Sequence, residues 1–182
     1  MAQLNGKRIA FVLTDGYEDS ELTSPWQALE DAGAQNTLIA PEATQITGKK
    51  GHTQKVDVRT KDAVADDFDA LVLPGGVVNA DHIRLDDAAV DFVRAIDRAG
   101  KPIGVICHGA WILTDAEALR GRTITSYPSL KTDLSNAGAH WVDEEVVCDQ
   151  GLVSSRTPDD LPAFNDKLVE EIGEGVHPAR AG

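Results

Sequence analysis

A succession of short apolar runs, each cut off by turn residues and followed by a helical pattern, constrains this chain most. Ile9 to Leu13 ends at Thr14-Asp15-Gly16, and the run within Asn36 to Ala40 ends at Pro41. Asp69 to Leu73 ends at Pro74-Gly75-Gly76, and Ile103 to Ile106 ends at Cys107-His108-Gly109. Runs this short and this apolar read as strands buried on both faces. Between them lie stretches with helical spacing: Leu22, Trp26 and Leu29 before Gly33, then Val90, Val93 and Ile96 between Asp86 and Gly100. Asp86 reads as the cap of the second. Strand and helix in alternation predict an α/β fold whose mainly parallel sheet is covered on both sides. In such sheets ligands bind beyond the carboxyl ends of the strands. The loops Asp15 to Glu21, Pro74 to Arg84 and Cys107-His108 converge at that end.

The rest of the chain fits the same frame. Pro25 should bend or delay the first helix, which runs from about Asp19 to Ala32. Gln45 to Arg59 reads as short strands or a hairpin, and Glu145 to Cys148 with Leu152 to Ser155 as a hairpin around Asp149-Gln150-Gly151. The helix after Cys107 should reach about Leu119. A short strand, Thr123 to Ser126, and a short helix, Ser129 to Ala137, precede a final helix over Pro158 to Ile172. Gly173 to Gly182 is expected to fray. The length of 182 residues suits one domain over residues 1–182 with a sizeable core.

A net charge of −13 repels nucleic acid phosphates and anionic membranes, so neither is expected as a partner. Apolar runs this short predict no membrane span or signal segment, and the expected location is the cytoplasm. Two cysteines, Cys107 and Cys148, are not a disulfide framework. His52, His82, His108, His140 and His177 lack zinc-site spacing, so neither metal nor other cofactor is expected.

The chemistry concentrates at Cys107. A side chain at a sharp strand-to-helix turn is pushed out of the sheet top, the layout of a nucleophile elbow. Free N–H groups and the positive dipole end of the following helix should lower the thiol pKa. The competing reading is an inert, buried cysteine. Pro74-Gly75-Gly76 offers backbone N–H groups suited to an oxyanion. Glu18 and Asp19 read as a solvated helix start. His52, His140 and His177 read as surface residues, Cys148 as a buried small hydrophobe, and Trp26 and Trp111 as packing residues.

Several motifs in order then carry a resemblance. They are Asp-Gly-Tyr-Glu-Asp-Ser-Glu-Leu at 15–22, Leu-Val-Leu-Pro-Gly-Gly at 71–76 and Gly-Val-Ile-Cys-His-Gly at 104–109. Further on come Leu-Arg-Gly-Arg at 119–122, Thr-Ser-Tyr-Pro at 125–128, Asn-Ala-Gly-Ala-His-Trp-Val-Asp at 136–143 and Ser-Ser-Arg-Thr-Pro-Asp-Asp-Leu at 154–161. From Lys7 to about Val169 the chain resembles the ThiJ/PfpI family of the class I glutamine amidotransferase-like superfamily. The resemblance implies a flavodoxin-like three-layer sandwich and a homo-oligomer, dimer or hexamer. It implies Cys107 as nucleophile, Glu21 as the acid that meets the thiol, His108 as base and oxyanion-side residue, and Gly76 as an oxyanion-hole donor. Asp81 falls where PfpI-like proteases usually have a Glu that reaches the histidine of a neighbouring subunit, and here it is one methylene shorter. The implied activity is a cysteine-dependent stress-response enzyme on small reactive carbonyls, of glyoxalase or deglycase type. The alternatives are an intracellular cysteine peptidase acting on peptides and a non-enzymatic redox sensor.

Overall fold

The computed structural model describes residues 3–42 and 44–179. The buried runs form the centre of a seven-stranded sheet. Its strands are β1 (Arg8–Val12), β2 (Gln35–Ala40), β5 (Val58–Arg59), β6 (Ala70–Leu73), β7 (Ile103–Ile106), β10 (Val147–Asp149) and β11 (Leu152–Ser155). Their order is β10-β11-β7-β6-β1-β2-β5, and only the β10–β11 pair is antiparallel. A hairpin of β3 (Gln45–Thr47) and β4 (Thr53–Lys55) and a small parallel pair of β8 (Thr123–Ile124) and β9 (His140–Trp141) lie outside it. The helices are α1 (Asp19–Asp31), α2 (Val77–Ile83), α3 (Asp87–Arg98), α4 (Ile112–Asp115), α5 (Lys131–Asn136) and α6 (Leu161–Glu174).

Alternation along each strand divides the core in two, because successive side chains leave a strand on opposite faces. Ala10 and Val12 of β1, Leu71 and Leu73 of β6, and Ile103 and Val105 of β7 join the core that contains Val90, Val93 and Ile96 of α3. Ile9 and Phe11, Ala70 and Val72, and Ile106 join the core that contains Leu22 and Leu29 of α1 and Phe164 and Leu168 of α6. The result is the expected three-layer α/β sandwich.

Local expectations met mixed outcomes. Asp86 caps α3, its carboxylate accepting from Ala88 N–H. Gln150 and Gly151, both at positive φ, close the β10–β11 hairpin, as a tight turn of mirror-image type requires. Pro25 does not delay α1; it is buried inside a helix that runs without a break from Asp19 to Asp31. The Pro74 to Arg84 segment is not loop throughout, because residues 77–83 form α2. The helix after the elbow stops at Asp115, since Glu117 takes φ 57°. Its first turn, Cys107–Trp111, is a 3-10 turn.

The tail is a further correction. Gly173 and Glu174 belong to α6, and His177 N–H donates to Gly100 C=O. Residues 173–179 therefore do not fray as a unit, and 180–182 lie outside the described residues.

Candidate functional site

The parallel strands β1, β6 and β7 deliver their loops to one place. Cys107 follows β7 directly and takes φ 61°, a left-handed backbone that costs a non-glycine residue about 1–3 kcal/mol. Such strain persists only where the surroundings over-determine it, and here they do. Cys107 C=O accepts from Tyr127 N–H at 3.1 Å, and the thiol lies 3.3 Å from His108 Nδ1. The N–H groups of Gly76 and His108 are directed at the sulfur. Cys107 is 9% exposed, shielded but reachable.

Glu21 comes from the first turn of α1 and is fully buried. Its Oε1 accepts from Gly75 N–H at 2.9 Å, while Oε2 has no hydrogen-bond partner. Burial pushes its carboxyl up to about 8, against the lowering effect of the Gly75 N–H. At neutral pH the acid is therefore protonated, and the partnerless Oε2 is the atom free to carry the proton. Burial also pushes the Cys107 thiol up to about 12, with the Glu21 carboxylate as the next cause. This corrects the expected low thiol pKa. The first turn is a tight 3-10 turn, and the Gly76 and His108 donors do not offset desolvation. A thiol held this high would need a base to act as a nucleophile.

An imidazole stands next to it. His108 is buried, its Nε2 sits 3.2 Å from Ser129 Oγ, and its ring stacks on Tyr127 at 4.6 Å. Burial and the positive charge of Lys49 hold its pKa below the usual imidazole range. A neutral imidazole that donates from Nε2 to Ser129 leaves Nδ1 open to accept the thiol proton.

Gly76 takes φ 87°, and a Cβ there would lie 2.5 Å from Gly16 C=O and 2.6 Å from Glu18 N. Only glycine lets the two loops close over the site. Glu18, expected to be solvated, is instead buried and pairs with Lys50 at 2.7 Å and Lys49 at 3.4 Å. Asp19 accepts from the N–H groups of Lys50 and His52. These two acids tie the β3–β4 turn to the site rather than facing water.

The structure thus brings together Cys107, His108, Glu21 and Gly76. It does not bring Asp81, which is exposed on α2. Ser129, Tyr127 and Lys49 complete the surroundings and were not identified from sequence. The Thr-Ser-Tyr-Pro motif at 125–128 and the Lys-Lys-Gly turn at 49–51 were visible, but nothing local tied them to Cys107. Trp26 and Trp111 are packing residues: Trp26 lies 4.9 Å from Phe11, and Arg84 sits over Trp111 at 4.8 Å.

Known proteins share this arrangement of chain. General stress protein 18 of Bacillus subtilis (strain 168) is 48% identical over 163 residues, covering 88% of this chain and 94% of that protein. A second protein of the same organism, named "Putative cysteine protease YraA", is 47% identical over 160 residues, covering 87% and 94%. Among solved structures, a two-domain Anabaena variabilis protein with DJ-1/ThiJ/PfpI-like and ferritin-like domains superposes with a TM-score of 0.89 at 32% identity. It matches 92% of this chain and 48% of that one. Schizosaccharomyces pombe DJ-1, at 22% identity and a TM-score of 0.81 over 90% of each chain, shares the fold. The DJ-1/PfpI family pattern matches residues 7–171, and the chain belongs to that family.

Proposed function

We propose that this protein is a cysteine-dependent enzyme acting on small reactive carbonyls, with Cys107 as its nucleophile. The observation that carries the reading is the left-handed elbow at Cys107, with a neutral imidazole nitrogen 3.3 Å from the sulfur and a buried acid beside it. His108 Nδ1 takes the thiol proton as sulfur bonds to the aldehyde carbon. The carbonyl π pair moves to oxygen, which is held by the Gly76 and His108 N–H groups and protonated by Glu21. The product is a hemithioacetal.

With methylglyoxal, the proton on the former aldehyde carbon then moves to the neighbouring carbon through an enediol. This leaves a thioester of a 2-hydroxy acid. Water cleaves the thioester and returns the thiol. Methylglyoxal and water become lactate, atoms balance, and no net oxidation occurs.

A peptidase must also expel an amine, and its imidazole must be oriented for that. The PfpI-type partner for this task would be Asp81, which within one chain stays at the surface of α2. The Asp side chain, one methylene shorter than the Glu usual at this position, favours aldehydes over amides. Val77 and Val78 of α2 are 55% and 50% exposed beside the site, and we assign them to contact with a second copy of the chain.

The test is turnover of methylglyoxal by purified protein, with Cys107→Ala beside it. Lactate formed by the wild type and lost in the variant supports the reading. Casein hydrolysis lost in Cys107→Ala, without methylglyoxal turnover, would replace it with the peptidase.

A further inference from the structure

A second constellation lies at the opposite end of the sheet, where α6 ends and the chain turns back. Glu171, Glu174 and His177 follow one another at intervals of three, and each offers a ligand atom within 4.8 Å of the others. Glu171 is 3% exposed. Gly175, at φ 90°, turns the chain back past the helix end. That turn lays the His177 ring against Gly151, where a Cβ would lie 2.8 Å from the ring. The His177 N–H donates to Gly100 C=O, so the backbone that carries the imidazole is fixed as well.

Two further observations point to a ligand. His177 Nε2 is shut off from solvent and meets Glu171 Oε1, an ion pair when the imidazole is protonated, so two ligand atoms of the group already face each other. Cys148 of β10 donates its S–H to Glu171 Oε2 at 3.1 Å, which fixes the carboxylate from behind. Outer partners of this kind orient metal ligands. The site also lies past the negative dipole end of a 14-residue helix, in a chain of net charge −13. Lys167 is the competing cation, at 4.0 Å from Glu171, but it sits closer to Glu170, at 3.1 Å.

We propose that Glu171, Glu174 and His177 form a binding site for a divalent transition-metal cation, zinc being the best fit. One imidazole and two carboxylates suit zinc, and leave room for water at the remaining position. The ion takes the place of the direct pairing between His177 and Glu171. It bonds α6 to the returning segment, and so clamps that segment against Gly100 and Gly151. Sequence spacing hides the site, because one ligand lies beyond the helix. The inference is independent of the chemistry at Cys107.

The experiment is zinc titration of the metal-stripped full-length protein by calorimetry, with a parallel thermal melt. One zinc ion per chain and a raised Tm are expected. Glu174→Gln, a change at an exposed side chain that keeps the fold, should weaken binding by at least about tenfold, as should His177→Ala. Cys107→Ala should bind zinc as the wild type does. Wild-type protein that binds no zinc would overturn the proposal. So would binding that survives Glu174→Gln and His177→Ala together, or binding lost in Cys107→Ala, which would place the ion at the other cysteine.

Discussion

Cys107 and Cys148 each sit beside a buried glutamate and within a step of a histidine, yet the two settings do opposite things with the thiol. Burial pushes both thiols up to about 12. At Cys148 the S–H is spent on Glu171, and the strand holding it runs in an ordinary hairpin. No imidazole nitrogen is within hydrogen-bond reach of its sulfur among the described residues. At Cys107 the backbone is left-handed, backbone N–H groups aim at the sulfur, and His108 Nδ1 stands 3.3 Å away. Residue types alone do not make a nucleophile. What separates the two is an imidazole in contact, backbone N–H groups at the sulfur, and a backbone turn that presents the sulfur to the open end of the sheet.

The largest difference should appear on substitution. Cys107→Ala should reduce methylglyoxal turnover to that of buffer, while Cys148→Ala should leave it unchanged; equal losses in a lactate assay would erase the contrast. Next come the imidazoles. His108→Ala removes the base and should cost about 10²–10⁴-fold in kcat. His177→Ala should leave kcat where it was, because His177 lies at the far end of the sheet. Steady-state kinetics on the two variants decide this.

The glutamate at the active elbow gives a smaller, pH-dependent effect. Glu21 is raised in the folded protein to about 8 from an ordinary value near 4.5. The folded state therefore holds a proton that the unfolded chain releases earlier. The stability this lends is complete below the unfolded value and is lost as pH rises toward 8. Within that window the loss approaches about 1.4 kcal/mol per pH unit. Glu21→Gln removes the ionisation, so urea unfolding should show the variant gaining on the wild type between pH 5 and pH 8. A wild-type-to-variant difference that is flat with pH would mean that Glu21 is ionised throughout.

The smallest effect concerns the surface beside Cys107. If a second copy covers Val77 and Val78, light scattering should find no monomer at micromolar concentration, and Val78→Glu should shift the protein toward monomer. A wild-type particle of one chain's mass would leave that face uncovered.

Much of this was legible in the sequence, for physical reasons. The buried strands announced themselves because a strand covered on both faces must be apolar throughout. The elbow was visible because Ile106-Cys107-His108-Gly109 joins such a strand to a turn with no linker. Cys107, His108, Glu21 and Gly76 followed from the resemblance and do meet. The helix over Val77–Ile83 was missed because it is seven residues long and presents Val77 and Val78 to the outside, so it lacks an amphipathic stripe. The burial of Glu18 was missed because its partners, Lys49 and Lys50, arrive from a hairpin 30 residues on, and no local pattern records that. The elevated thiol pKa was missed because helix dipole and donors were weighed without the desolvation that a covered sheet imposes. The role of His177 was missed because it depends on a chain reversal at Gly175 that a Gly- and Pro-punctuated tail disguises as fraying.

Accessibility and chemistry disagree about the two thiols, and that makes one measurement decisive. Cys148 is half-buried, whereas Cys107 is 9% exposed, so exposure alone favours Cys148 as the first thiol to react. The wild-type protein is treated with limiting iodoacetamide at neutral pH, and the carbamidomethyl group is located by peptide mass spectrometry. The account predicts that Cys107 is labelled first and Cys148 only after excess reagent or unfolding. Labelling of Cys148 ahead of Cys107 would contradict it.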